Sequence, residues 1–285
     1  MSVERVKSLS CWTSPDVDVA PLEGGITNRN YVVQDAERRF VVRQCADGSL
    51  LGIDRRNERA CHRAAAEIGV SPSLVHHEEE FLVSDFVAGR TLTGADLHDP
   101  DCLRRAARAL ANLHAGWGEL SGEMLFFSSF QTIRSYALTA AERGAQLPSN
   151  LNLMLADVRA LEASIAPYRP VLCHNDLLPA NLIDTGDMVW IVDWELAGVG
   201  HPLFDLGGLI SNAGLPNDLV DELLASYGLA GPSVRRELQV FQAMSLLREA
   251  LWGAVQSVTS TLPVDYQAYA DTHFAKYRAA RAEVK

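Results

Sequence analysis

Three polar residues between positions 174 and 193 are of types that can do chemistry together. Asp176 and Asn181 lie in the segment HNDLLPAN, and Asp193 follows the next apolar run. In phosphoryl transfer a carboxylate accepts the proton of the attacking hydroxyl, while an amide oxygen and a second carboxylate hold the Mg²⁺ that bridges the nucleotide phosphates. The pattern H-x-D-x-x-x-x-N, then D, therefore predicts Asp176 as the base and Asn181 and Asp193 as ligands of Mg²⁺, which prefers oxygen donors.

A predicted hairpin would bring these three side chains together. Two β-prone runs, 182–183 and 189–192, flank the turn-forming residues 184–187, and the apolar residues 171–173 lead into the loop before them. The loop enters the hairpin and Asp193 leaves it, so the polar groups can surround one point. Taken singly, each residue has an ordinary alternative role, as a turn cap, a partner of loop backbone or the end of a strand.

Residues 1–87 predict a small α+β lobe. The β-prone runs 31–33 and 40–42, joined by polar residues, are typical of a hairpin. Ala, Arg and Glu dominate residues 54–68, which predicts a helix, and 81–83 predicts a further strand. Strand, hairpin, helix and strand indicate an N-terminal lobe built on an antiparallel sheet, and we expect it to bind a nucleotide.

Residues 88–285 predict a larger, mainly helical lobe that carries the catalytic residues and binds the acceptor. Apolar residues recur at helical spacing in five segments of this part of the chain. The predicted helices cover residues 103–113, 133–143, 151–165, 219–227 and 234–258. The expected fold class is therefore α+β with two lobes, and the region of Gly89 is the expected linker.

Residues before and after the first predicted strands could face nucleotide phosphates. The small and polar run GGITNRN can offer backbone N–H groups and side-chain amides to phosphate oxygens, although an ordinary glycine turn explains it equally well. Arg43 and Glu58 could form the strand-to-helix ion pair that orders the phosphates in kinase-like folds, with solvated surface charges as the alternative. The predicted nucleotide-binding residues are Thr27, Asn28, Asn30, Arg43, Glu58, Asp85 and Val87.

Composition excludes several classes of protein. The 285 residues are 48% hydrophobic, which is enough for a sizeable core. The 36 acidic and 25 basic residues give a net charge of −11, which would repel a nucleic-acid backbone. No apolar run is long enough for a membrane span and the N-terminus mixes charges, so we expect no membrane partner and a cytoplasmic location. The five cysteines are scattered singly, which favours reduced thiols.

Six motifs along the chain resemble the choline/ethanolamine kinase branch of the aminoglycoside-phosphotransferase-like kinases. They are GGITNRNYVV, FVVR, IDRRNE, HNDLLPANLI, VDWELAG and PLFDLGGL, and they occur in the expected order. The resemblance covers nearly the whole chain and implies a protein-kinase-like fold, with ATP and Mg²⁺ as cofactors. Protein kinases proper are a poorer match, because Asp193 is followed by Trp-Glu instead of Phe-Gly.

The resemblance also implies roles for individual residues. Asp176 matches the catalytic base, and the two Mg²⁺ ligands are those already predicted from the spacing. Arg43 matches the basic residue that faces the ATP phosphates, and Glu58 matches its helix partner. Asp205, in PLFDLGG, occupies the place of a buried acid that braces the loop containing the base.

The C-terminal stretch resembles the family segment whose aromatic residues surround a quaternary ammonium. Trp252 and Tyr269 occupy the matching places, and a trimethylammonium group, which donates no hydrogen bonds, is best held over aromatic faces. Trp252 could instead be a core residue of an amphipathic helix. Glu249 stands where eukaryotic choline kinases usually have a second tryptophan, and Asn212 where they have an acidic residue. Glu249 could pair with a primary amine, or it could be a solvated helix charge.

These observations predict a kinase that uses ATP and Mg²⁺ to phosphorylate the hydroxyl of a small amino alcohol, with choline first and ethanolamine second. An aminoglycoside or thiamine kinase on the same scaffold is the alternative enzyme. From another class, the chain could be a pseudokinase that binds nucleotide without turnover. The presence of Asp176, Asn181 and Asp193 argues against a pseudokinase.

Overall fold

The computed structural model describes residues 2–22, 28–45, 48–78, 80–116 and 122–284. The strands are β1 (Asp18–Leu22), β2 (Arg29–Asp35), β3 (Arg38–Gln44), β4 (Leu74–Glu78), β5 (Phe81–Asp85), β6 (Arg90–Thr91), β7 (Val171–Cys173), β8 (Leu182–Asp184), β9 (Val189–Ile191) and β10 (Gly198–Gly200). The helices are α1 (Ser2–Lys7), α2 (Arg55–Ile68), α3 (Pro100–Gly116), α4 (Ser129–Glu142), α5 (Leu151–Ser164), α6 (Pro202–Ala213), α7 (Asn217–Tyr227), α8 (Pro232–Thr259) and α9 (Tyr266–Glu283).

The N-terminal lobe is a five-stranded antiparallel sheet in the order β1-β2-β3-β5-β4. The predicted hairpin is confirmed as β2 and β3, which extend further than the apolar runs indicated and pair from Arg29 with Gln44 to Asp35 with Arg38. Alternate residues of these strands point to one buried face, as a half-buried strand requires. The unpredicted strands β1 and β4 lie at the two edges of the sheet, where exposed positions weaken the hydrophobic pattern.

Helix α2 begins and ends where the sequence predicted. The side chain of Asp54 caps its N-terminus by accepting hydrogen bonds from the backbone N–H groups of Arg56 and Asn57, at 2.7 and 3.0 Å. Gly69 ends it in the left-handed conformation, with a φ of 85°. One face of the helix is buried, and this face includes the polar side chains of Asn57 and Glu58. The first turn of α2 is therefore built to present polar groups to the interior.

The C-terminal lobe is helical, and its centre is the 28-residue helix α8, which packs against α4, α6 and α9. Helices α3, α4, α5, α7 and α8 confirm the five predicted from periodicity. Helices α6 and α9 were not predicted. Helix α6 is buried along most of its length and contains two glycines, so it shows no amphipathic stripe. No helix in the described ranges is both long enough and apolar enough to cross a bilayer.

The predicted hairpin belongs to one of two small sheets that follow the N-terminal sheet along the described part of the chain. Strands β8 and β9 form that hairpin, and β6, which directly follows Gly89, pairs with β8 through Arg90 and Asp184. Strands β7 and β10 form a separate antiparallel pair that leads into the loop of residues 174–181. The fold class is thus confirmed as two-lobed α+β, while the domain boundary between residues 87 and 88 stays a prediction.

Close packing of α6 on α8 makes Gly207 sensitive to substitution. A Cβ at this position would lie 2.8 Å from the backbone of Phe241 and Gln242, whereas a Cβ at Gly208 would meet only the Ser245 Oγ, at 3.5 Å. We expect Gly207→Ala to lower the free energy of unfolding by about 1–3 kcal/mol through overpacking. Gly208→Ala, the matched control, should be neutral or raise it by up to about 1 kcal/mol. Urea denaturation of both variants checks this, and equal effects would contradict it.

Candidate active site

A cavity of about 380 Å³ lies between the two lobes. Its walls come from the N-terminal sheet, from α2, from residues 176–196 and from α8 and α9. Within the described ranges, every predicted site residue except Asn212 lines it, and Thr27 lies outside those ranges. The predicted residues that line the cavity are Asn28, Asn30, Arg43, Glu58, Asp85, Val87, Asp176, Asn181, Asp193, Glu249, Trp252 and Tyr269.

Asn212 lies near the end of α6 and does not line this cavity. Its side-chain amide donates a hydrogen bond of 3.1 Å to the carbonyl oxygen of Leu177. Leu177 directly follows Asp176, so the contact supports the loop instead of facing an acceptor molecule. The structure therefore separates Asn212 from the other residues that we predicted to bind the acceptor.

The carboxylate of Asp205 binds the backbone at the start of the 174–181 loop. Its Oδ2 accepts a hydrogen bond from the backbone N–H of His174 at 2.8 Å, and its Oδ1 accepts one from that of Asn175 at 2.7 Å. His114 adds a contact of 3.0 Å from Nε2 to the same Oδ2, and its Nδ1 lies 2.7 Å from the Tyr227 hydroxyl. Asp205 is fully buried, so these contacts replace the water that its carboxylate has lost. They are the contacts of a residue that braces the loop.

Two residues at the site have a left-handed backbone. Asn175 has a φ of 65° and Asp193 a φ of 70°. Asn and Asp tolerate this region better than other non-glycine residues, but it still costs energy that the surroundings must supply. For Asn175 the surroundings include Asp205 and a hydrogen bond of 3.0 Å from its Nδ2 to the Leu196 carbonyl. The turn at Asn175 re-aims the chain so that Asp176 enters the cavity.

Asp176 has an acidic side chain in a largely buried position. Its backbone N–H donates to the Nδ1 of His174 at 3.2 Å, while the Nε2 of His174 lies 2.9 Å from the Val192 carbonyl. Its Oδ1 accepts a hydrogen bond of 2.8 Å from Arg248. Burial raises the pKa of Asp176 to about 6, although the charge of Arg248 opposes this shift. A carboxylate with this pKa can take up a proton close to neutral pH.

Asn181 and Asp193 offer oxygen donors next to Asp176. The Nδ2 of Asn181 donates to the Asp176 carbonyl at 2.9 Å, which fixes the orientation of the amide. The Oδ1 of Asp193 accepts from Arg43. Among the described donors, none contacts the Oδ1 of Asn181 or the Oδ2 of Asp193. One amide oxygen and one carboxylate oxygen fit Mg²⁺, a hard cation that is held by few protein oxygens and keeps several waters.

Arg43, on β3, forms ion pairs with both Glu58 and Asp193. Glu58 is only 1% exposed, so this is a buried pair and the alternative of solvated surface charges is wrong. Arg55 extends the network, since its Nη1 lies 2.8 Å from Glu58 and 3.2 Å from Glu195. The network ties β3, α2 and the segment after β9 together around one part of the cavity.

The remaining predicted nucleotide-binding residues border the same network. Asn28 donates a hydrogen bond of 3.1 Å from Nδ2 to Glu195, and Asn30 lies on β2 at the cavity wall. Asp85 ends β5, and its Oδ1 accepts from Arg38 at 2.8 Å. Val87 adds an apolar surface to the wall, of the kind that suits a planar base.

Trp252 and Tyr269 form an aromatic corner in the cavity wall. Their ring centroids are 5.5 Å apart and their planes are inclined by 69°. Trp252 both lines the cavity and packs on the core. Its contact with the hydrophobic core is thus confirmed, while its contact with a quaternary ammonium stays a prediction. A Cβ at Gly253 would lie 2.8 Å from the Cδ1 of Tyr269, so the tyrosine ring packs directly on the backbone of α8. Two perpendicular aromatic faces can hold a cation.

Glu249 is buried in the same wall, with 5% of its surface exposed. Its Oε2 accepts a hydrogen bond of 2.8 Å from the Tyr269 hydroxyl, and its Oε1 accepts one from Arg248. The alternative of a solvated helix charge is therefore wrong. If Glu249 pairs with an amine of the acceptor, that amine has to compete with Arg248 and the Tyr269 hydroxyl, which already donate to this carboxylate.

Sequence reasoning missed Arg248 and Glu195. Arg248 contacts both Asp176 and Glu249, and Glu195 contacts Asn28 and Arg55. The signal for Arg248 was present in the sequence, because Arg248 and Glu249 are adjacent charges in an otherwise apolar stretch of helix. Buried charges in such a stretch require partners, which marks them for attention. Glu195 carried no comparable signal.

The two lobes with a cavity between them are the architecture of a protein-kinase-like fold. Residues 18–238 match the model of the phosphotransferase enzyme family (APH). The chain therefore belongs to the phosphotransferase enzyme family.

Three individual proteins are similar to most of this chain. The protein LicA of Haemophilus influenzae is 28% identical over 212 residues, which are 72% of this chain and 61% of that protein, so the chain spans less than two thirds of it. Mouse ethanolamine kinase 1 is 26% identical, with 96% of this chain and 86% of that protein covered. The crystal structure of a choline/ethanolamine kinase family protein from Mesorhizobium loti is similar with a TM-score of 0.82 and 28% identity, covering 98% and 95% of the two chains.

The contacts of Asp205 generate a prediction about stability. Asp205→Asn keeps the shape but points an amide N–H₂ at one of the donors that the carboxylate now satisfies, so we expect a loss of about 1–3 kcal/mol in the free energy of unfolding. The matched control is Asp157→Asn, which weakens the half-exposed pair with Arg281 and should cost about 1 kcal/mol or less. Chemical denaturation measures both. An Asp205→Asn protein as stable as its parent would show that the brace is unnecessary.

Proposed function

We propose that the protein is a kinase that uses ATP and Mg²⁺ to phosphorylate the hydroxyl of a small amino alcohol, with choline as the first candidate and ethanolamine as the second. One observation carries the proposal. A single cavity is lined both by the carboxylate of Asp176, whose side chain is 20% exposed, and by the aromatic corner of Trp252 and Tyr269. A hydroxyl at the carboxylate and a cation at the corner can belong to one small molecule.

The relatives support this acceptor class. Proteins named ethanolamine kinase match 96% of this chain, and the Mesorhizobium loti structure belongs to the choline/ethanolamine kinase family. Membership of the phosphotransferase family alone does not select an acceptor, because the scaffold is shared and the acceptor pocket decides. The aromatic corner favours a cation without N–H donors over the aminoglycosides, whose amines donate hydrogen bonds.

In the proposed reaction, Asp176 accepts the proton of the acceptor hydroxyl while the hydroxyl oxygen attacks the γ-phosphorus of ATP, and the bond from that phosphorus to the β,γ-bridging oxygen breaks to release ADP. Arg248 holds one carboxylate oxygen of Asp176, so the other is directed at the acceptor. Arg43 faces the phosphates from β3. Asn181 and Asp193 would hold Mg²⁺, which supplies positive charge to the nucleotide phosphates when it is bound. The ion pairs around Arg43 keep the nucleotide end of the cavity pre-organised.

The test of this function is analysis of the products by ³¹P NMR with ATP, Mg²⁺ and a panel of choline, ethanolamine, thiamine and an aminoglycoside. We expect phosphocholine or phosphoethanolamine from the parent protein. Asp176→Asn, which is isosteric, should bind ATP normally but turn over roughly 10²–10⁴-fold more slowly. Nucleotide binding without any product would support a pseudokinase, and full turnover by Asp176→Asn would remove this residue from the role of base.

The raised pKa of Asp176 predicts the pH dependence. A base must be deprotonated to act, so burial that raises its pKa to about 6 moves the loss of activity to higher pH. We expect kcat/KM for the acceptor to fall about tenfold per unit below about pH 6, whereas an ordinary aspartate would stay active to about pH 4. Initial rates across this range at constant ionic strength measure the profile. A flat profile down to about pH 5 would contradict the assignment.

A further inference from the structure

A line of hydrogen bonds connects the base to the aromatic corner. The Nη2 of Arg248 donates to the Oδ1 of Asp176 at 2.8 Å and also to the Oε1 of Glu249. The Oε2 of Glu249 accepts from the hydroxyl of Tyr269 at 2.8 Å. All four residues line the cavity, and they come from the 174–181 loop, from α8 and from α9. The line therefore spans the acceptor end from the reacting hydroxyl to the cation.

Each link in this line has a fixed donor and acceptor. The Arg248 side chain is 2% exposed and that of Glu249 is 6% exposed, and buried charges of this kind are retained only when they are paired. Burial opposes the charge of Arg248, but the neighbouring carboxylates of Glu249 and Asp176 raise its pKa, so it stays protonated. Burial and the charge of Glu249 raise the pKa of Tyr269 well above its usual value, so its hydroxyl stays a donor.

The line has two consequences for an acceptor molecule. Each oxygen of Glu249 already accepts one hydrogen bond, and its charge is offset in part by Arg248, which it shares with Asp176, so a primary amine has to compete with donors already bound to Glu249. The ring of Tyr269 is held by its hydroxyl and by the backbone of α8, and it stands nearly perpendicular to Trp252. A cation without N–H groups needs only these aromatic faces.

We propose that Arg248 and Glu249 are positioning residues that hold the Tyr269 ring in place relative to Asp176, and that they thereby make the acceptor end selective for a quaternary ammonium over a primary amine. The inference rests on the proposed phosphorylation of an amino alcohol. It differs from a direct role for Glu249, in which that carboxylate would contact the amine of the acceptor.

The sharpest test is Tyr269→Phe, which removes the hydroxyl and keeps the ring. The matched control is Tyr266→Phe on the same helix, because the Tyr266 hydroxyl is buried and has no hydrogen-bond partner within the described part of the chain. The acceptors are ethanolamine, N,N-dimethylethanolamine and choline, whose ammonium groups carry three, one and no N–H donors. Steady-state kinetics with each acceptor gives KM and kcat separately.

We expect the parent protein to prefer choline over ethanolamine by roughly tenfold or more in kcat/KM, with the dimethyl compound between them. Tyr269→Phe should raise the KM for choline roughly tenfold, change kcat less, and leave the KM for ethanolamine within about twofold. Tyr266→Phe should leave the ratios of kcat/KM among the three acceptors unchanged. A loss caused only by a damaged fold would affect all three acceptors alike.

Variants of Arg248 test the other half of the line. Arg248→Met frees Glu249 from its counter-charge, so the ratio of choline to ethanolamine in kcat/KM should narrow by roughly tenfold. Arg248→Lys retains the charge without the planar fork and should recover part of the ratio. Because Arg248→Met removes a buried ion pair and could fail to fold, the Tyr269→Phe result stands as the independent measurement.

Three results would overturn the inference. The parent protein using ethanolamine as well as choline would show that the line does not select a quaternary ammonium. Equal changes in both KM values in Tyr269→Phe would show that the hydroxyl has only a structural role. In both of these cases the proposed kinase function would stand. If no acceptor of the series gains a phosphoryl group, the proposed function fails and the inference fails with it.

Discussion

One buried carboxylate determines the geometry of the site. Asp205 accepts hydrogen bonds from the two backbone N–H groups at the start of the 174–181 loop, and this contact fixes the left-handed turn that sends Asp176 into the cavity. Two residues further along α6, the absence of a side chain at Gly207 lets that helix lie against α8. Helix α8 in turn carries Arg248 and part of the cavity wall. Helix α6 therefore sets the positions of both Asp176 and this part of the wall.

Charge in the cavity is organised as small, separate networks. In one network Arg43 and Arg55 are shared between carboxylates, and in the other Arg248 is shared between two more. Each buried carboxylate in these networks has a cationic neighbour, which offsets the cost of removing both from water. A network of this kind keeps side chains in place before any substrate arrives, and such pre-organisation is a main source of electrostatic catalysis. Because these side chains already contact one another, a substrate that binds to one of them replaces an existing contact.

The features that could be predicted from sequence were those with a local signal in spacing or in composition. The segment HNDLLPAN and the following Asp193 carry their meaning in their order, and residues 54–68 have the Ala, Arg and Glu content of a helix, so both were predicted without tertiary information. The edge strands β1 and β4 and the uniformly buried α6 lack a periodic signal. The role of Arg248 depends on contacts with Asp176, far away in sequence, which no local pattern encodes. Asn212 was assigned by position alone, and its real neighbour is the Leu177 carbonyl.

The way Asp205 holds the loop separates the shape of the loop from its chemistry. Asp205 contacts main-chain N–H groups, and every amino acid except proline offers the same group at these positions. Asn212 likewise contacts a main-chain carbonyl. Side chains of the loop other than Asn175, whose left-handed backbone and hydrogen bond to Leu196 favour asparagine, can therefore be exchanged, in evolution or by an engineer, while helix α6 continues to impose the same path on the chain. The scaffold can in this way be given new acceptors and new chemistry without being rebuilt.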